Sequence, residues 1–271
     1  MTGKKKKPRF SAKTSDKHIL YEQAVQAPDS EVSFIDRVYR RHFGRPAAIF
    51  REDFCGTALV ACEWVRRRRT HIAYAVDLDK PTLDWGLEHN VSKLPEGAVG
   101  RIHLINDNVL HVTRPKVEVI AALNYSYFLF READQLVRYF AAARRSLAGE
   151  GLLVLDAYGG YEAQQVVQET TKHDGFTYVW DQAEYNPVND DSTCHIHFRF
   201  PDGTRLRRAF TYHWRLWTLG GIRDALRAAG FKSTEVYWEG DDGEGGGNGV
   251  FRRAERAENC AGWNVYIVGV P

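Results

Sequence analysis

Arg51-Glu52-Asp53-Phe54-Cys55-Gly56-Thr57-Ala58 is the stretch whose reading decides the fold. It closes an apolar run, Ala47 to Glu52, that reads as a strand, and it opens Ala58 to Arg69, where apolar residues recur at helical spacing. A strand running through a small-residue turn into a helix is the start of a βαβ unit. Gly56 is the residue in that turn free to take any backbone angle and to let a ligand approach the main chain. Open α/β sheets bind ligands at the carboxyl ends of their strands, so chemistry is expected at this turn and at the strand tips that follow.

Downstream, strand-like runs at His71 to Asp77, Arg101 to Ile105, Val117 to Leu123 and Leu152 to Asp156 alternate with helical patterns at Pro81 to Lys93 and Glu132 to Leu147. Upstream, Val32, Ile35, Val38, Tyr39 and Phe43 repeat at helical spacing behind Pro28-Asp29-Ser30 and stop at Gly44. After Tyr161 the pattern changes to strands with turn signals: Phe176 to Tyr185, Cys194 to Phe200, Pro201-Asp202-Gly203, then Leu206 to Leu216. A helix capped by Thr218 ends at Gly230, followed by a strand near Thr234, a flexible loop over Gly240 to Gly249 and a strand from Trp263 to Val268. Two consecutive late strands require the last to reverse direction. The expected fold is α/β: a doubly wound, mostly parallel seven-stranded sheet with an antiparallel last strand, plus an inserted antiparallel β-sheet.

The stretch from Glu52 to Ala58 resembles the glycine-rich motif of class I S-adenosylmethionine-dependent methyltransferases: an acidic residue, an apolar residue, then Gly-Cys-Gly-Thr-Gly. Cys55, Gly56 and Thr57 match directly and Glu52 takes the acidic place; Asp53, Phe54 and Ala58 depart from the pattern. The resemblance implies S-adenosylmethionine as cofactor, S-adenosylhomocysteine as product and methyl transfer as the activity. Behind a start whose Lys, Ser and Thr content and lack of apolar side chains read as a disordered basic tail (1–15), it orders the chain as an N-terminal helical lid (16–45) holding Tyr21 against the cofactor, a cofactor-binding core (46–160), an antiparallel insertion on the acceptor side (161–217) and the C-terminal part of the core sheet (218–271).

The other strand tips fit this reading. Asp77, in Ala75-Val76-Asp77-Leu78-Asp79, lies about 20 residues beyond the glycine turn, where an acid accepts hydrogen bonds from ribose hydroxyls, with Leu78 beside it. Asp79, just before Lys80-Pro81, reads as a helix cap. For Asn106-Asp107-Asn108 the resemblance implies contact with the adenine, led by Asp107, and for Asn124 a place lining the methyl-transfer site. Tyr125, Tyr127, Tyr158 and Trp217 are the expected acceptor contacts, and Asn124, Tyr158 and His213 the catalytic candidates, with His195 a further proton acceptor if the acceptor is an amine.

Charge points the same way. A sulfonium is a cation, and Glu52 and Asp53 supply negative charge beside the turn; both would repel a pyrophosphate, which argues against a nicotinamide cofactor. No metal is expected: His195 and His197 share a strand face without a third ligand, and the four cysteines show no CxxC spacing. A formal net charge of +2 demands no nucleic acid, although the Arg66 to Arg69 run and the Lys4 to Lys7 tail form a basic patch if they lie together. The chain lacks the roughly 20-residue apolar run of a membrane span, and its lysine-rich start lacks a signal-peptide core, so a cytoplasmic protein acting on a small molecule is expected. The alternatives are an RNA or protein methyltransferase and a non-catalytic S-adenosylmethionine-binding protein.

Overall fold

The computed structural model describes residues 10–243 and 246–271; Lys4 to Lys7 lie outside the described residues. In chain order, α1 (Lys17–Val25) starts at Asp16, whose carboxylate accepts from the His18 amide at 2.7 Å. α2 (Pro28–Phe43) starts on a proline and stops at Gly44, which takes φ 69°. Then come β1 (Ile49–Asp53), α3 (Leu59–Arg67), β2 (Ile72–Asp77), α4 (Lys80–His89), β3 (Ile102–Asn106), β4 (Val117–Ala122), α5 (Ala133–Ser146) and β5 (Leu147–Gly159). Four strands follow, β6 (Val167–His173), β7 (Phe176–Asn186), β8 (Asp191–Arg199) and β9 (Arg205–Arg215), and the chain ends with α6 (Leu219–Ala228), β10 (Ser233–Asp241), β11 (Gly247–Arg253) and β12 (Trp263–Val270).

These elements form two compact units. The larger comprises Ala27–Gly160 and Trp217–Pro271. Its sheet has the order β11-β10-β12-β5-β4-β1-β2-β3, with β1 to β5 parallel and β12 antiparallel to both β5 and β10. The reversed last strand is as expected, but the sheet has eight strands where seven were expected. The extra strand is β11, from a segment read partly as a flexible loop because glycine dominates its composition; the Phe251 ring, 4.5 Å from Tyr266, anchors it beside β10. Phe50 of β1 and Trp64 of α3, both fully buried, stack at 5.0 Å on one face of the sheet and fix α3 behind the glycine turn.

The smaller unit comprises the described residues up to Gln26 and Tyr161–Leu216, with an antiparallel sheet in the order β6-β7-β8-β9. β6 has no apolar alternation, and most of its residues are exposed, which is why the sequence pattern did not announce it. Residues 10–15 were expected to be disordered, but Phe10 packs edge-on against Phe176 at 5.7 Å and the Ala12 amide donates to Thr204 Oγ1 at 2.9 Å. An aromatic anchor and a backbone bond offset the entropy of ordering this short piece. The expected lid (16–45) is two helices in different units: α1 buries Leu20 among Phe176, Ile196, Phe198 and Phe200, whereas α2 belongs to the large core.

Candidate functional site

The tips of β1 to β5 share one edge of the parallel sheet. At the tip of β1 the turn places Phe54, Gly56 and Ala58 at φ 58°, 53° and 58°, a left-handed conformation that suits glycine and strains other residues. The motif's two missing glycines are therefore present as backbone geometry. Phe54 is held there by its ring, which meets Phe130 at 6.0 Å and Tyr139 at 5.4 Å. The Cys55 amide donates to the Val76 carbonyl (3.0 Å) and the Gly56 amide to Asp77 Oδ2 (2.7 Å), so β2 fixes the turn. A side chain at Gly56 would meet nothing nearer than Thr82 Cγ2 at 4.0 Å; the main chain is open to a ligand.

Behind the turn stand Gly86 of α4 and Asn90, the residue that ends that helix, neither of which the sequence reading selected. Asn90 Nδ2 donates to the Thr57 carbonyl at 3.0 Å, and Gly86 lies so close that a Cβ there would sit 2.5 Å from the same oxygen. Glycine inside a helical pattern was the available signal, since it costs helix stability unless close packing requires it. Gly86→Ala is expected to cost about 1–3 kcal/mol of stability by pushing α4 off the turn, read as a lowered midpoint in denaturant. A variant with the wild-type midpoint would show that Thr57 is not held from behind.

The charges differ from the sequence expectation. Asp53 was assigned to the cofactor, but it is 1% exposed and faces the opposite side of β1 from Glu52, in a buried pair with Arg51, whose Nη2 donates to its Oδ2 at 3.0 Å and whose Nε lies 2.7 Å from Oδ1. Tyr139 Oη donates to the same Oδ2 at 3.0 Å, and Arg51 Nη1 donates to the Val112 carbonyl. Asp53 therefore neutralises Arg51 and offers nothing to a ligand. Glu52 is 3% exposed and accepts from the Ala61 amide at 2.9 Å; burial, with the neighbouring acids Glu31, Asp77 and Asp53, drives its carboxyl well above the usual range. The two free acids expected beside the turn are instead one deeply buried acid bonded to the α3 backbone and one ion pair.

Other acids take that place. Asp77 holds Gly56 through Oδ2 and accepts from the Asp79 amide through Oδ1 at 2.8 Å; burial raises its carboxyl while these amides pull it back down. A carboxylate has about four acceptor directions, so lone pairs remain for a ligand's hydroxyls. At the tip of β5, Asp156 accepts from the Asn124 amide (2.6 Å) and the Tyr125 amide (2.9 Å), and burial pushes it up to about 7. Glu31 of α2 is 7% exposed and its Oε2 has no hydrogen-bond partner; burial and the charge of Asp156 raise it to about 8. The sequence reading selected neither Glu31 nor Asp156.

Beyond Asp77 the side chain of Leu78 is 70% exposed, an apolar surface at the tip of β2. Asn106 Nδ2 donates to the carbonyls of Asp77 (3.1 Å) and Leu78 (2.9 Å), tying the tips of β2 and β3 together. Asp107 is exposed; its Oδ1 accepts from the Asn108 amide at 2.7 Å and lies 3.3 Å from His111 Nδ1, while Asn108 Oδ1 accepts from the Leu110 amide. Cys55 and Thr57 are buried within the turn.

At the tip of β4, Asn124 and Tyr125 take φ 57° and 58°, held by Asp156. Tyr125 and Tyr158 meet at 4.7 Å between ring centres, and Tyr125 Oη donates to Asn264 Oδ1 at 2.7 Å. Two expected acceptor contacts are corrected by burial. Tyr127 has no exposed surface and its hydroxyl donates to the Asp156 carbonyl; Trp217 is 7% exposed and its Nε1 donates to the Phe130 carbonyl. Both support the tips from within.

Tyr21 and His213 lie in the smaller unit. The Tyr21 ring meets Phe210 at 5.0 Å and its hydroxyl bonds to Tyr212; His213 Nδ1 lies 3.3 Å from Thr193 Oγ1. His195 Nδ1 pairs with Thr211 Oγ1 at 2.9 Å and His197 Nε2 with Asp181 Oδ2 at 3.0 Å. Among the described residues, no group of three or more His, Cys, Asp or Glu side chains is arranged to hold a metal, and no helix is long and apolar enough to cross a membrane.

A parallel sheet whose last strand is reversed, with a glycine turn clamped by the acid of the next strand, defines the class I methyltransferase fold, and solved structures of that class match the chain. A S-adenosylmethionine-dependent methyltransferase from Clostridium acetobutylicum superposes with a TM-score of 0.69 at 16% identity, covering 93% of this chain and 97% of that one. An amino pentose methyltransferase from Micromonospora echinaspora, solved with S-adenosylmethionine bound, gives 0.66 at 13% identity over 99% and 100%. A sugar N-methyltransferase from Streptoalloteichus gives 0.63 at 16% identity over 100% and 97%. No protein-family model matches the sequence, and no curated protein matches it.

Proposed function

We propose that the chain is a S-adenosylmethionine-dependent methyltransferase that methylates an N or O atom of a small molecule. The observation that carries this reading is Asp77: its carboxylate clamps the open glycine turn at Gly56 and keeps lone pairs for a sugar diol, with the exposed Leu78 beside it. The residues fit the cofactor. Gly56 leaves the main chain open, the acids of the crevice suit a cation, and Glu31 Oε2 is a buried acceptor still without a donor. Asp107 and Asn108 would meet the base and Leu78 its flat face.

S-adenosylmethionine supplies a methyl group already activated by its sulfonium, so the protein needs no nucleophile of its own. What the chain contributes is position and exclusion of water. Asp156 fixes the backbone of Asn124 and Tyr125 in a left-handed pair, and Asn124, Tyr125 and Tyr158 border the place proposed for the acceptor. The solved neighbours that act on sugars favour a small acceptor. So do the arginines: Arg66 and Arg67 pair with Glu63, Arg67 also with Asp29, and Arg68 with Asp36, which leaves the run poorly suited to phosphates.

Incubation with methyl-labelled cofactor and two cell fractions, metabolites and RNA, tests the assignment. Label is expected in the metabolite fraction and reduced at least about 10-fold by Asn124→Ala, the loss of one positioning contact. Label confined to RNA would reject the small-molecule reading, and label in neither would reject catalysis in favour of cofactor binding alone.

A further inference from the structure

Glu31 is a buried acid only half used by the fold: its carboxyl accepts from the Ala27 main chain at the start of α2, and its second oxygen is left over. It sits in the first turn of α2, 7% exposed, with Oε2 unpartnered. Its place follows from packing: one helical turn further on, Phe34 stacks on Tyr266 of β12 at 4.1 Å, and Tyr266 is the register partner of Asp156. The titratable groups that feel Glu31 are Asp156 at the tip of β5, Glu52 at the tip of β1 and Tyr266, two acids and a phenol. β5, β4 and β1 are consecutive in the sheet and lie on the side of Asp77 away from β3, so Glu31 belongs to that side of the crevice.

A buried carboxyl with an unused oxygen beside other acids is suited to receive a cation from outside. Given the proposed function, on which this step rests, the nucleoside end of the cofactor belongs to the β2 and β3 tips, and the opposite end is an amino acid carrying an ammonium group. We propose that Glu31 is the residue that receives the cofactor's α-ammonium group. The ammonium donates to Oε2 and favours the carboxylate, so binding expels a proton from Glu31, which holds one at neutral pH in the free protein.

The test is calorimetry on the full chain with S-adenosylhomocysteine and its analogue lacking the α-amino group. In the wild type the amino compound is expected to bind about 10- to 100-fold more tightly, the worth of a charge-assisted hydrogen bond. Glu31→Gln keeps the shape and is expected to remove that preference while leaving the analogue's affinity unchanged. Titrations at pH 7 in buffers of different ionisation enthalpy should also show proton release with the amino compound and none with the analogue, falling away as the pH passes 8. This second readout needs only the wild type and so survives a variant that fails to fold. Equal affinity of wild type and Glu31→Gln for S-adenosylhomocysteine overturns the inference and leaves the proposed function intact, as does an equal loss for both compounds. A wild type that binds neither compound overturns both.

Discussion

Replacing Asp77 by Ala is expected to raise the dissociation constant for S-adenosylhomocysteine by about 100-fold or more while the protein stays folded. The carboxylate has two jobs at one point: it orders the turn through the amides of Gly56 and Asp79, and it is the proposed acceptor for the ribose hydroxyls. Hydrogen bonds to a charged group are worth about 1.5–3 kcal/mol each, and two lost on the ligand side correspond to about 3–6 kcal/mol. Asp77→Asn separates the jobs, because an amide oxygen still accepts from Gly56 but the charge is gone; an intermediate affinity is expected. Calorimetry with circular dichroism as the folding control checks both. Wild-type affinity in Asp77→Ala would remove the ribose assignment.

Arg51→Met is expected to destabilise the fold by about 3–5 kcal/mol, the largest stability effect of any single change proposed for this chain. It strands Asp53 as an uncompensated charge at 1% exposure, where burial already raises its carboxyl and only Arg51 and Tyr139 pull it down. The double variant Arg51→Met, Asp53→Leu removes both charges and is expected to recover most of the loss, because a buried pair replaced by apolar groups of similar volume is commonly near neutral. Denaturant midpoints of the wild type, the two single variants and the double variant give the coupling directly. A single variant as stable as the wild type would mean that the pair is not buried as described. Affinity for the cofactor in a folded double variant should match the wild type, since Asp53 faces away from Glu52 and the turn.

These two predictions mark where sequence reasoning succeeded and where it stopped. The order of strands and helices was legible because hydrophobic period and capping residues are local, and the reversed β12 followed from two late strands in succession. The place of Asp77, at the tip of β2 and bonded to the glycine turn, was legible because its distance along the chain from that turn is set by one βαβ unit, while its ribose role stands as a proposal. Asp53 was misassigned because sequence adjacency to Glu52 says nothing about face. In a strand successive side chains point oppositely, and the opposite charges of Arg51 and Asp53, two residues apart on one face, were the sign of a pair. Glu31 likewise falls four and seven residues before Ile35 and Val38, on the buried stripe of α2, yet it reads as a surface acid until the partner face is known. Gly86 and Asn90 meet Thr57 only through tertiary packing, for which a sequence carries only the hint of a misplaced helical glycine. The dense aromatics misled in the opposite way: Tyr127 and Trp217 looked like acceptor contacts, but buried rings with engaged polar atoms are more often structural.

The central claim is that the acids at the β2 and β5 tips, with Glu31 of α2, receive a cationic sulfur nucleoside and not a dinucleotide. Parallel calorimetric titrations of the wild-type chain with S-adenosylmethionine, S-adenosylhomocysteine and NAD test it most directly. Saturable binding of both sulfur nucleosides, one per chain, with no heat from NAD is the predicted result; binding of NAD with neither sulfur nucleoside retained would contradict it.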